Sequence, residues 1–212
     1  MQSRNGQAAK FIGIRRHRLA TDGEGVTTLA AFWGCPLNCR YCLNPYCMDE
    51  SFAGELLTPQ ELFDRVKIDD LYFRASGGGV TFGGGEPLLH IPFLREFRAL
   101  CGKDWRLYAE SSLNVPFSAV KAAADIFDGF IVDVKDTNPD IYRRYTERDN
   151  AQMLQNLAWL IEQVGSERVL VRLPLIPNFN TEDDRTHSRS LLQQMGVTRF
   201  DEFEYIIRNA RK

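Results

Sequence analysis

The chain has 212 residues, with 26 Lys and Arg against 28 Asp and Glu, a formal charge of −2 and ordinary apolar and charged fractions. That length suits one domain over 1–212 with a substantial core. The balanced charge lacks the basic footprint of a nucleic-acid binder, and no apolar stretch approaches the roughly 20 residues that cross a bilayer. Nucleic-acid and membrane partners are therefore not expected. Met1–Asn5 is polar and has no signal-peptide core. Five cysteines, three of them crowded together, do not make a disulfide framework. Thiols kept free for a metal imply a reducing compartment, with the cytoplasm as the default. No self-association stripe stands out, so a monomer is expected.

Phe11–Ile14 and Val26–Phe32 read as strands joined by a loop carrying Thr21-Asp22-Gly23-Glu24-Gly25, a tight exposed turn. The basic cluster Arg15-Arg16-His17-Arg18 reads as a solvated turn. Cys35-Pro36-Leu37-Asn38-Cys39-Arg40-Tyr41-Cys42 follows the second strand, and a loop then runs to about Leu57. Thr58-Pro59-Gln60-Glu61 is a helix start, with Thr as N-cap, Pro at the first position and Glu closing a capping box. Strand-like and helix-like segments then alternate: strand Gly79–Phe82 ending in Gly83-Gly84-Gly85-Glu86-Pro87, helix Ile91–Leu100, strand Arg106–Glu110, helix Pro116–Ala124 and strand Phe130–Val134. Helix Ala151–Val164, strand Val169–Leu173, helix Glu182–Met195 capped by Thr181, and strand Phe203–Ile207 complete the series. Counted from Val26, that is six strands with five helices between them. Such alternation predicts a parallel α/β sheet, either a curved, partly open barrel or an open doubly wound sheet.

In a parallel sheet the site lies beyond the carboxyl ends of the strands, and the chemically distinctive residues fall there. The cysteines follow the first of the six strands, Gly84-Gly85-Glu86 the second, Glu110-Ser111 the third and Asp133-Val134-Lys135 the fourth, with Arg172 near the end of the fifth. Three thiolates spaced Cys-x3-Cys-x2-Cys can hold three irons of a cubane and leave the fourth open. A structural zinc would want a second knuckle, which is not apparent. Glycines after a strand let backbone approach a ligand. Asp133 and Lys135 share a face and suit an ion pair, Arg172 suits either a buried structural role or a carboxylate, and Tyr41 suits packing or stacking on a purine. Cys47 and Cys101 read as structural, and His90 and His187 as surface or core residues.

Taken together, the cysteine run, the Asp22-Gly23-Glu24-Gly25 loop, Ser76–Thr81, Gly84-Gly85-Glu86-Pro87-Leu88-Leu89, Asp133-Val134-Lys135 and Arg172–Pro177 resemble, in that order, the radical S-adenosylmethionine (SAM) enzymes, and among them the glycyl-radical enzyme activating enzymes of the pyruvate formate-lyase type. The resemblance covers about residues 10 to 208. It implies a (β/α)6 partial barrel in a single domain, with a short N-terminal strand extension, and a [4Fe–4S] cluster on Cys35, Cys39 and Cys42. The open iron would chelate SAM, and one-electron reduction would give a 5′-deoxyadenosyl radical that takes a hydrogen atom from a glycine. Tyr41 and Leu43 would contact SAM near the adenine, Gly84, Gly85 and Glu86 its methionine amino end, and Asp133 and Lys135 its ribose and carboxylate. Glu110, Ser111 and Arg172 complete the SAM set; Glu110, Ser111 and Asp133 occupy the positions of a monovalent cation site beside SAM, and Asp22 is the expected contact to a protein substrate. The implied partners are a glycyl radical enzyme or a peptide substrate, and a flavodoxin or ferredoxin-type reductant in an anaerobic setting.

The chain departs from the family pattern at four places. Gly83 replaces Ser, Leu43 replaces His, Glu110-Ser111 replaces Asp-Thr, and Tyr205–Asn209 lacks the His of the family's C-terminal run, after which the usual closing segment is absent. Two other readings use part of the same residues: a radical SAM enzyme acting on a ribosomal peptide or small molecule, and a non-catalytic iron–sulfur electron carrier.

Overall fold

Period-two alternation along the strands decides which residues face the helices and which face the site. The structure, a computed structural model, describes residues 7–19 and 21–207; the polar start Met1–Asn5 and, at the other end, Arg208 and Asn209 lie outside the described residues. The strands are β1 (Ala9–Leu19), β2 (Val26–Phe32), β3 (Glu55–Leu57), β4 (Gly79–Gly84), β5 (Arg106–Ser111), β6 (Gly129–Asp133), β7 (Val169–Leu175) and β8 (Arg199–Glu204). They form one eight-stranded sheet in the order β3-β1-β2-β4-β5-β6-β7-β8. The six strands from β2 to β8 in that order are parallel, and β1 and β3 join antiparallel at one side. The helices are α1 (Pro59–Val66), α2 (Asp70–Ser76), α3 (Ile91–Cys101), α4 (Phe117–Ile126), α5 (Pro139–Thr146), α6 (Ala151–Val164) and α7 (Glu182–Gln194). No helix among the described residues is long and apolar enough to cross a membrane.

The core lies between the sheet and its helices. Alternate strand residues Phe32, Val80, Phe82, Leu107, Ala109, Phe130, Val132 and Val171 pack there with Leu94 and Phe97 of α3, Val120 of α4 and Leu157 and Leu160 of α6. Burying such side chains stabilises the fold by about 1.5–3 kcal/mol each. The intervening residues face the other way. Thr81, Tyr108 and Gly129 lie side by side, as do Glu110, Ile131, Leu170 and Arg199, and then Asp133, Arg172 and Asp201. Charged side chains gather toward the carboxyl ends of that inner face, beyond Ile131 and Leu170, and mark that end as the side that meets a ligand.

All six parallel strands expected from the sequence are present, and the helix start at Thr58 is a complete capping box, with Thr58 accepting from the Glu61 amide and Glu61 from that of Thr58. Four local expectations are corrected. Arg15–Arg18 is not a turn but the bulged second half of β1, held there because Arg16 pairs with Asp69 at 2.5 Å and Arg18 with Asp22 at 2.6 Å. β8 runs Arg199–Glu204 rather than Phe203–Ile207, because its pairing with β7 begins at Leu170–Arg199. The three-residue β3 lies within the expected loop and is made by pairing with β1. Helix α5 carries a charge-rich pattern that masked it, although Asn138 caps it by accepting from the Asp140 and Ile141 amides.

Candidate active site

Two backbone stitches place the cysteine loop against the glycines that follow β4. The Gly85 amide donates to the Phe32 carbonyl at 2.9 Å and the Glu86 amide to the Gly34 carbonyl at 2.7 Å. This approach requires glycine: a Cβ on Gly85 would run into the Gly34 carbonyl oxygen, and Gly84 holds φ +84°, the left-handed region that disfavours side chains. Asn44 adds a side-chain link, donating to the Gly84 carbonyl at 3.3 Å. The cysteine loop is also tied to α5, with the Asn38 amide on the Thr146 carbonyl at 2.9 Å and the Arg40 amide on the Tyr145 carbonyl at 3.0 Å.

The loops converge on one cavity of about 100 Å³, bordered by Cys35, Cys39, Cys42, Gly84, Gly85, Glu86, Glu110, Ser111, Asp133 and Lys135. Of the residues expected at a SAM site, eight meet there, counting Leu43 with the seven that follow the cysteines. Beside it runs a groove of about 1,390 Å³ along the inner face of the sheet, and Leu43 borders both. Arg172, Tyr108, Ile131 and Asp201 line the groove.

Several expected contacts are placed elsewhere or occupied. Tyr41 does not border the cavity; its ring packs edge-on against Tyr145 and Phe179, and its hydroxyl accepts from Asn178 at 3.3 Å. Arg172 faces the groove rather than the cavity, in contact with Glu110. Asp22 is 3% exposed, its carboxylate taken by Arg18, so it is not offered to a protein partner. Glu86 forms part of the cavity wall, but its acceptors are used: Ser111 and Leu88 donate to one oxygen at 2.7 and 3.2 Å, and the Ser112 hydroxyl and amide to the other at 2.7 and 2.9 Å. It straps the glycine turn to the loop after β5. Two wall residues were not anticipated, Asn44 and Tyr205. Each directly follows an element that was recognised, and position at a strand's carboxyl end was the signal that could have found them.

The charges at the cavity are paired. Lys135 sits 3.3 Å from Asp133; burial works against its charge, but Asp133 and Cys39 outweigh it and hold its pKa well above the ordinary value. Burial pushes Glu110 up, with Arg172 opposing, and pushes Glu86 up against its hydroxyl and amide donors. Burial raises the Cys35 thiol to about 12 and the Cys39 thiol to about 11. Cys42 is lowered to about 6, first by the thiol of the buried Cys47 beside it. Cys47 is thus structural to the loop, its carbonyl accepting from the Gly34 amide at 2.8 Å.

This donor set fits a cluster. Among the described residues no three His, Cys, Asp or Glu side chains converge on one point as a mononuclear ion requires. Three soft thiols ranged round one cavity match three corners of a cubane. The neighbouring wall of glycine backbone, hydroxyl, carboxylate and ammonium suits a zwitterionic, sulfonium-bearing molecule.

A family model described as the radical SAM superfamily matches residues 32–191. The chain is 33% identical over 168 residues to a (2S)-3-sulfopropanediol dehydratase activating enzyme of Klebsiella oxytoca, covering 75% of this chain and 52% of that one. It is 30% identical over 230 residues to the pyruvate formate-lyase 2-activating enzyme of Escherichia coli K12, covering 92% and 74%. The chain thus spans about half the length of the first relative and three quarters of the second. In fold alone it is similar to Streptococcus suis SuiB bound to the precursor peptide SuiA, with a TM-score of 0.65 at 12% identity over 84% of this chain and 38% of that one. The match spans the cysteine loop and the strands β4 to β7, and it carries the same conclusion as the geometry: this chain belongs to the radical SAM superfamily, whose cofactors are a [4Fe–4S] cluster and SAM.

Proposed function

We propose that the chain activates a glycyl radical enzyme, abstracting a hydrogen atom from a glycine in an extended segment of that partner. The observation that carries this reading is the pairing of a three-cysteine cavity with a long open groove that share Leu43 as a border. A cavity of about 100 Å³ is too small to enclose a cubane and a nucleoside together. The nucleoside end of SAM would therefore lie toward Leu43, where a chain segment in the groove can meet it. The activating-enzyme names of the Klebsiella and E. coli relatives support the same reading.

Cys35, Cys39 and Cys42 would hold the cluster, and when bound it and SAM supply the one-electron cleavage that yields a 5′-deoxyadenosyl radical. The chain's own residues bind and orient. Backbone groups of Gly84 and Gly85 lie against the cavity without a side chain between, and the Lys135 ammonium would be available to the amino-acid end of SAM, while Ser111 holds Glu86 in the wall. Asp133 stands beside Lys135 and would serve the ribose side. The core behind the strands keeps water from that end of the site. Free thiols at a cluster site fit a reducing compartment, the cytoplasm, and electrons from a flavodoxin or ferredoxin-type protein.

Anaerobic incubation of the cluster-loaded protein with SAM, dithionite and a co-encoded glycyl radical protein should produce a persistent organic radical signal in electron paramagnetic resonance. Persistent silence with SAM cleavage intact moves the substrate to a ribosomal peptide or small molecule. Loss of cleavage as well leaves only electron transfer.

A further inference from the structure

Four contacts meet at Arg172, on the wall between the cavity and the groove. Its guanidinium contacts Glu110 on β5, the Thr21 carbonyl, Asp22 at 3.8 Å and Asp201 on β8 at 3.4 Å. Glu110 borders the cofactor cavity while Arg172 lines the groove, so this ion pair stands between the two spaces. The loop that it grips, Thr21–Gly25, lies on the groove's inner face. Gly23 rests on the Tyr108 ring, where a Cβ would come within 2.6 Å. Glu24 reaches Arg106 at 2.5 Å and Arg199 at 3.6 Å, and the Asp22 carbonyl accepts from the Thr81 hydroxyl.

Glu110 reaches Arg172 only because its neighbour on β4 has no side chain. A Cβ on Gly83 would lie 2.7 Å from a Glu110 carboxylate oxygen and 3.0 Å from its Cβ. Contacts so short force the carboxylate to move. Position 83 therefore decides how long an acid position 110 can carry, and position 110 decides where the guanidinium sits.

We propose that Glu110 and Arg172 act as one positioning unit, a charged partition that separates cofactor from substrate segment and pins the Thr21–Gly25 loop to the groove, with Gly83 as the residue that admits it. This rests on the cofactor reading of the cavity and is independent of the choice of substrate. Neither residue is a SAM ligand in this account: Arg172 spends its donors on Glu110, the loop and β8.

Hydrogen exchange of the purified, cluster-free protein tests it without any turnover. Arg172→Gln removes charge-assisted bonds, so amides of residues 21–26 should exchange about tenfold faster or more, while core amides of β4 and β5 keep their protection and report an intact fold. Gly83→Ala, whose added methyl would meet the Glu110 side chain first, should loosen the same loop. Glu110→Asp combined with it should restore protection relative to Gly83→Ala alone, because the shorter acid clears the added methyl; a simple packing defect would not be rescued. Loop exchange at the wild-type rate in both Arg172→Gln and Gly83→Ala overturns the proposal, as do strictly additive effects of Gly83→Ala and Glu110→Asp. Wild-type loop exchange combined with lost SAM affinity in the cluster-loaded Arg172→Gln protein also overturns it, since Arg172 would then be a cofactor ligand.

Discussion

At the scale of single residues, the account turns on positions where one atom more would not fit. Gly85 is one. Its missing side chain lets the glycine turn lie on the Gly34 and Phe32 carbonyls, so Gly85→Ala should cost about 1–3 kcal/mol by overpacking and lower cluster loading, measured by urea unfolding and iron content. Glu110 and Arg172 make a second case. Because the guanidinium already neutralises the Glu110 carboxylate at the cavity, and Lys135 neutralises Asp133, we expect SAM cleavage to proceed without an added monovalent cation. Exchanging potassium for tetramethylammonium should change the rate by less than about twofold. His90 supplies a pH effect. Its ring stacks on Phe32 with centroids 4.3 Å apart, and burial lowers its pKa below the usual 6.5. The neutral form is thus favoured by folding, and the unfolded chain takes up the proton first. Stability contributed by His90 should be complete above about pH 6.5 and fall as the pH drops through that value. The difference in unfolding free energy between wild type and His90→Gln, followed from pH 8 to pH 5, should shrink with acidity; a constant difference would contradict this.

At the scale of elements, the loop after β5 is anchored by a residue from a neighbouring helix. Asn156 of α6 is 2% exposed and donates to the Leu113 and Val115 carbonyls at 2.9 Å each, fixing the loop that follows Ser111. Asn156→Leu should leave two buried carbonyls unpaired at a cost of about 2–4 kcal/mol and weaken SAM binding along with stability; unchanged unfolding would count against that role. The elements also show what could be read from sequence alone. The six parallel strands and the long helices were legible because their patterns are local: apolar runs bounded by glycine, Thr58 and Thr181 as caps, and leucines at helical spacing. The edges were less so. β3 exists only because β1 lies beside it, β8 takes its start from Leu170 on β7, and the basic run at Arg15–Arg18 becomes strand only because Asp69 and Asp22 are there to receive it. Apart from Arg18–Asp22, which is four positions apart, these pairings are set by a residue 53 positions away or by the neighbouring strand, and no local pattern encodes them.

For the whole molecule, strand order converts scattered motifs into one site. Residues from five parallel strands reach one cavity because successive strands are neighbours in the sheet, so the list of positions at their carboxyl ends was already a list of the walls. Which wall residues are free to touch a ligand was not legible. Glu86 is spent on Ser111 and Ser112, Tyr41 on an aromatic cluster, and Asp22 and Arg172 on a network across the groove. Those assignments depend on distances between strands rather than on residue type. Family membership, the three thiols and the cavity together support the proposal that this fold cleaves SAM at a cluster held by Cys35, Cys39 and Cys42. The direct measurement is 5′-deoxyadenosine release by anaerobically reconstituted protein given dithionite and SAM, set beside Cys39→Ala treated identically. Wild type should give product and the variant none, with loss of cluster absorbance in the variant; no product from fully loaded wild type, or equal product from both, would refute SAM cleavage at this cluster.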